Sequence, residues 1–197
     1  MTSILVICTG NICRSPIAEG LLRDALQRRF EDRAPEVSSA GTSGLEGSGA
    51  MPESVQAAAE LAIDIGAHVA RRLTADMADG SDLLLCMSRE HRDMLAAGWS
   101  DRDDRAFTLK ELVRLLETLP APASDIEPES LIERVEDANV ARRQGAVPPS
   151  RDDDVADPLG QPMEAYRAIA WELETWIERL VNGLFGAMAE VDAAEGP

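Results

Sequence analysis

Positive charge is scarce in this chain: 19 lysines and arginines stand against 36 aspartates and glutamates, for a formal net charge of −17. A surface of that sign argues against nucleic acid and anionic membrane as partners, and it repels highly anionic substrates at long range. Long apolar runs are also missing, and none approaches the roughly 20 residues that a membrane span requires. The N-terminus lacks the charged start and small-residue cleavage site of a secretory signal. Cysteine is sparse and odd in number, with two of the three close together at Cys8 and Cys13. That usage argues against a secreted disulfide framework and points to a reducing cytoplasm. Aromatic residues make up only 4% of the chain, with Tyr166 the single tyrosine, so an aromatic-lined recognition site has little to draw on.

What is present suffices for one well-buried domain: 197 residues, 45% of them hydrophobic. The most informative stretch runs from Val6 to Pro16. Ile4 to Ile7 is apolar and β-branched, the pattern of a short buried strand. Pro16 stands where the first position of a helix is expected, and Ala18, Leu21, Leu22, Ala25 and Leu26 follow at helical spacing. Between strand and helix lie Cys8, Thr9, Gly10, Asn11, Ile12, Cys13, Arg14 and Ser15. Gly10 and Asn11 tolerate the left-handed backbone that turns successive N–H groups inward. The helix N-terminus adds partial positive charge to such a cradle. Arg14 brings a planar fork able to hold two oxygens of a tetrahedral anion. Cys8, at the floor, acts as a thiolate. A nucleophilic sulfur facing a bound phosphate predicts phosphoryl-transfer chemistry.

The rest alternates strand and helix patterns. Glu36–Thr42 reads as a second strand, followed by a Gly-rich loop and by a helix from Val55 to about Ile63 that Ser54 caps. Asp82–Met87 is a continuous apolar run of strand length. A helix opens at Ser88 and ends near Gly98. Arg105–Thr108 reads as a fourth strand, and Lys110–Leu119 as another helix. The alternation predicts an α/β fold, a doubly wound four-stranded parallel sheet with helices on both faces and the phosphate-binding loop between the first strand and the first helix. Ligands in such folds bind beyond the carboxyl ends of strands, where Cys8 falls. Between Pro120 and Asp154 five prolines bracket a possible helix from Glu129 to Arg143, read as an excursion from a domain spanning 1–190. A final helix from Pro162 to about Ala189 carries Ala165, Ile169, Leu173, Trp176, Ile177 and Leu180 on one face. Residues 191–197 read as a flexible acidic tail.

The string Cys-Thr-Gly-Asn-Ile-Cys-Arg-Ser-Pro, from Cys8 to Pro16, resembles the signature of the low-molecular-weight protein tyrosine phosphatases. The resemblance implies a phospho-cysteine intermediate on Cys8, with Arg14 and the amides of Thr9, Gly10, Asn11, Ile12 and Cys13 binding the phosphate. It implies that Ser15 donates a hydrogen bond to the thiolate; a helix cap is the other role for that hydroxyl, and the two can hold together. Asp157-Pro158 resembles the family's Asp-Pro loop, making Asp157 the general acid and later the base for water, although Asp152, Asp153 and Asp154 precede it. Ser39–Thr42 and His68–Arg71 resemble two further family segments, implying that Ser39 and His68 buttress Asn11. Cys13 is then either a small buried residue or the partner in a reversible disulfide that protects Cys8. Cys86, inside an apolar strand, reads as core packing. Neither a cofactor nor a metal is implied. The substrate would be a phosphorylated protein or a small phosphomonoester, and the protein a monomer or weak dimer.

Departures from the family concern the pocket walls. Aromatics usual there are replaced by Leu45 and Leu159, which weakens stacking on a phenyl ring by about 0.5–1.5 kcal/mol per lost pair. Ile12 is the residue of the phosphotyrosine-directed relatives, whereas arginine-phosphate relatives more often carry Thr. Phosphotyrosine on protein is therefore the leading substrate. An arginine-phosphate hydrolase, an arsenate reductase on the same fold and a non-catalytic phosphate-binding module remain open.

Overall fold

A computed structural model of the chain describes residues 2–98, 100–122 and 126–187. Strand β1 (Ser3–Cys8) lies inside a four-stranded sheet, between β2 (Glu36–Gly41) and β3 (Leu83–Cys86), with β4 (Ala106–Thr108) outside β3. All three pairings are parallel. The side chains of β1 alternate between two apolar layers. Ile4, Val6 and Cys8 enter the larger core, while Leu5 and Ile7 enter a smaller one with Leu84, Cys86, Ala78 and Leu95. Burial on both faces explains why the strands read as unbroken apolar runs.

The larger layer holds α1 (Arg14–Phe30), α2 (Pro52–Ala59), α5 (Leu109–Leu116), α6 (Leu131–Arg143) and α7 (Met163–Phe185). The smaller lies under α3 (Ala75–Asp79) and α4 (Arg89–Gly98). Tyr166, Ile169, Leu173, Ile177, Leu180 and Leu184 form the buried stripe of α7. After β1 the chain moves to β2 on one side, then returns across β1 to β3 on the other. The carboxyl end of β1 is thus the point where the winding reverses, and a crevice opens there.

Several local expectations shift. Helix α1 starts at Arg14, with Pro16 in its third position rather than its first. The first four N–H groups of a helix have no partner within it, so proline there sacrifices no hydrogen bond. Helix α2 starts at Pro52 with Met51 before it, and Ser54 lies inside the first turn instead of capping it. Proline's fixed φ suits that first position, which displaced the start by a few residues. The helix stops at Ala59, short of Ile63, and Ala62 follows with a positive φ of 61°.

The segment set apart by its prolines is not detached. Leu131, Val135, Ala138 and Ala141 of α6 are buried in the larger core, and Arg134 donates to the Gly183 carbonyl of α7 at 2.9 Å. Those apolar positions recur at helical spacing, but the charges between them hid the stripe. The expected end of the last helix near Ala189 and the acidic tail 191–197 lie outside the described residues.

Candidate active site

The loop after β1 is held by a buried asparagine. Asn11 is fully buried and takes a left-handed φ of 56°, a conformation that asparagine tolerates better than most residues. Its amide nitrogen donates to Ser15 Oγ at 2.9 Å and to Ser39 Oγ at 2.7 Å. Its side-chain oxygen accepts from the Arg71 backbone N–H at 2.8 Å, and its own carbonyl oxygen meets His68 Nε2 at 2.8 Å. These bonds offset the cost of the backbone and hold Asn11 with its own N–H turned toward Cys8. Ser39 and His68, which the resemblance implied as buttresses of Asn11, both contact it. Arg71, within the quoted histidine segment, adds a contact that residue type alone does not announce, because its backbone makes it. Gly41 lets β2 run against the loop: a Cβ there would sit 2.4 Å from the Thr9 carbonyl oxygen.

Cys8 Sγ lies beneath this cradle. The Asn11 backbone N–H donates to it at 3.3 Å, and Ser15 Oγ stands 2.9 Å away. Ser15 accepts from Asn11, so its own hydrogen is free to point at a thiolate, which only accepts. Lying within the first turn of α1, Ser15 does not cap the helix.

Arg14 is buried at its base, and its two terminal nitrogens are separately engaged. Nη1 donates to the Val155 carbonyl at 3.2 Å; Nη2 donates to Asp157 Oδ2 at 2.6 Å and to Thr9 Oγ1 at 3.4 Å. Asp157 and the three aspartates that precede it separate by position. Asp152 is exposed, and Asp153 is buried against Arg114. Asp154 accepts from the Arg89 backbone N–H at 2.7 Å and pairs with its guanidinium at 3.0 Å. Arg89 holds the Asp154 carboxyl below its ordinary range against the opposing effect of burial. Only Asp157 joins the wall of the crevice at the cradle. Its loop is anchored by Val155 N–H to the Met87 carbonyl at 2.8 Å and by Lys110 Nζ to the Asp154 carbonyl at 2.9 Å.

The resulting crevice holds about 220 Å³ and is walled by Cys8, Thr9, Gly10, Ile12, Cys13 and Arg14 with Ser43, Leu45, Asp157 and Leu159. Leu45 and Leu159 are half-exposed at its rim. Asn11 and Ser15 stand behind the wall. Burial pushes the Cys13 thiol up to about 11, which keeps it protonated at neutral pH. Burial likewise pushes the Cys86 thiol up; it lies in the smaller core, across the sheet from Cys8.

Two residues at the site escaped the sequence reading: Ser43 in the crevice wall and His91 beside it. His91, in the first turn of α4, is buried with Nε2 at 2.9 Å from Thr9 Oγ1 and Nδ1 at 2.8 Å from Ser88 Oγ. Burial, reinforced by the charge of Arg14, pushes its pKa down to about 4. The available signal was a histidine just past the end of the strand next to β1.

A family model described as low molecular weight phosphotyrosine protein phosphatase matches residues 3–138. The match runs through most of α6, in keeping with that helix's place in the core. A protein-arginine-phosphatase from Geobacillus stearothermophilus is 32% identical over 181 residues, covering 92% of this chain and 95% of the relative. The low molecular weight protein-tyrosine-phosphatase Etp of Escherichia coli K12 is 46% identical over 89 residues, or 45% of this chain and 56% of the relative. Among solved structures, the tyrosine phosphatase AmsI of Erwinia amylovora superposes with a TM-score of 0.68 at 27% identity, covering 93% of each chain.

Proposed function

The chain belongs to the low molecular weight phosphotyrosine protein phosphatase family, and from that premise we propose that it hydrolyses phosphotyrosine on protein through a phospho-cysteine on Cys8. The observation that carries this reading is the convergence, in one crevice, of the Cys8 sulfur, the Arg14 fork and the Asp157 carboxyl. Phosphate entering the cradle takes over the Arg14 nitrogen that Asp157 holds. The carboxyl, released from the guanidinium, is then placed to act as general acid toward the leaving oxygen. Cys8 Sγ attacks phosphorus, forming the S–P bond as the P–O bond to the leaving group breaks, and Asp157 delivers its proton to that oxygen. Arg14 and the loop amides carry the charge on the equatorial oxygens. Asp157 next accepts a proton from water, which attacks phosphorus, breaks the S–P bond and restores the thiolate. Because Cys8 must remain a free thiol, the working compartment is reducing, as the cytoplasm is. Among the described residues no helix is long and apolar enough to cross a membrane.

The similarity to the Geobacillus arginine phosphatase over nearly its whole length supports phosphoarginine as a second substrate class. Rims of Leu45 and Leu159 suit an aliphatic side chain as well as a ring. Arsenate reduction has less support, since Cys86 is sealed on the opposite face of the sheet from Cys8. Nitrophenyl phosphate hydrolysis by wild type and Cys8→Ser, under reducing conditions near pH 6, tests the core reading. Turnover lost in the mutant is expected; a folded wild type with no turnover would overturn it. Matched phosphotyrosine and phosphoarginine peptides then set the order of substrates, with phosphotyrosine expected to be cleaved faster.

A further inference from the structure

Arg14 has three protein acceptors in the site: the Val155 carbonyl, Thr9 Oγ1 and Asp157 Oδ2. When phosphate displaces Asp157, two remain to hold the guanidinium in plane, and Thr9 shares a nitrogen with the incoming oxygens. The usefulness of Thr9 depends on where its one hydroxyl hydrogen points. Turned toward Arg14, it sets two donors against each other; turned away, it leaves a lone pair for the guanidinium. His91 Nε2 is 2.9 Å from that hydroxyl, and Ser88 Oγ is 2.8 Å from Nδ1. The ring is 2% exposed, so water does not compete for either nitrogen.

We infer that His91 is a positioning residue of the phosphatase: neutral, with its proton on Nδ1 toward Ser88, it accepts the Thr9 hydroxyl hydrogen at Nε2 and so aims a Thr9 lone pair at Arg14. The chain Ser88, His91, Thr9, Arg14 ties the first turn of α4 to the anion-binding fork, and it survives the departure of Asp157. Charged groups facing the ring are Arg14, Asp157 and Asp154. Burial and the Arg14 cation keep the imidazole neutral. An imidazolium would present a donor at Nε2 and turn the Thr9 hydrogen elsewhere. The residue touches no reacting atom and acts through Thr9 alone.

This inference rests on the phosphatase reading, and its test separates the two. In nitrophenyl phosphate kinetics, His91→Ala is expected to lower kcat about tenfold with KM changed less than threefold, as one oriented hydrogen bond in the transition state would. His91→Gln, whose amide oxygen can accept from Thr9, recovers most of the loss. Thr9→Val loses a similar factor, and the double variant Thr9→Val with His91→Ala is no slower than Thr9→Val alone. A turnover-independent readout is the Arg14 Nε–H signal in nitrogen–proton NMR during titration with inorganic phosphate. It stays sharp in wild type and His91→Gln and broadens in His91→Ala. Losses that multiply in the double variant, or a folded His91→Gln as slow as His91→Ala, would overturn the inference. So would an unchanged Arg14 signal in His91→Ala, whether or not the wild type turns over.

Discussion

Asp157 and Arg14 sit 2.6 Å apart, with the arginine buried and the aspartate side chain 45% exposed. An exposed partner can leave at small cost, which suits a carboxyl that must exchange a cation for a substrate dianion. Removing it takes away the proton donor but not the nucleophile. Asp157→Ala is therefore expected to slow alkyl phosphates by about a hundredfold or more, while nitrophenyl phosphate, whose leaving group needs little protonation, loses far less. Steady-state kinetics on the two substrates check this, and equal losses would remove Asp157 from the acid role. His91 sets a second expectation at the same scale. Its folded pKa of about 4 lies below the ordinary 6.5, so below pH 6.5 the unfolded chain binds a proton that the native state refuses. The stability it contributes is full above pH 6.5 and falls away as the pH drops toward 4, by up to about 3 kcal/mol. The denaturant midpoint of wild type should fall across that window relative to that of His91→Gln, which lacks the titrating ring.

At the scale of elements, α6 shows how composition can mislead. Its prolines on either side and its mixed charges read as a segment apart, yet Leu131 is completely buried and Val135 nearly so. Leu131→Ala should cost about 2–5 kcal/mol of stability, the ordinary loss for a buried leucine. The variant should keep its KM for nitrophenyl phosphate, because α6 supplies no wall of the crevice. Chemical denaturation measures the first; an excursion with no core role would lose less than about 0.5 kcal/mol. The phosphate loop is the opposite case. Strand, cradle and helix start are contiguous in sequence, so the glycine, asparagine and arginine preferences act locally and were legible. The start of α1 at Arg14 was less so, because proline favours the first position yet is tolerated later in a first turn, where no N–H has a partner within the helix.

For the molecule as a whole, the net charge of −17 acts on encounter rather than on chemistry. Raising ionic strength from about 0.01 M to 0.15 M shortens the screening length from about 30 Å to 8 Å. The kcat/KM for an acidic phosphopeptide should rise over that range and that for a basic one should fall, with kcat unchanged for both. Identical salt responses would mean that the field at the crevice does not follow the net charge.

The sequence by itself determined the parallel α/β sheet, the position of the cradle at the end of its first strand and the identities of Cys8, Arg14 and Asn11. These follow from side-chain periodicity and from backbone preferences within a few residues of one another. Tertiary structure alone decided that Asp157, already singled out by its Asp-Pro resemblance, pairs with Arg14, that α6 belongs to the core and that His91 reaches Thr9. The His91–Thr9 contact joins residues 82 apart and the Arg14–Asp157 contact residues 143 apart. Such pairs meet because of the strand order β2-β1-β3-β4 and the anchoring of the Asp157 loop. No local propensity encodes a distance between elements; it emerges when both faces of the sheet are buried and the loops at its carboxyl edge share one crevice.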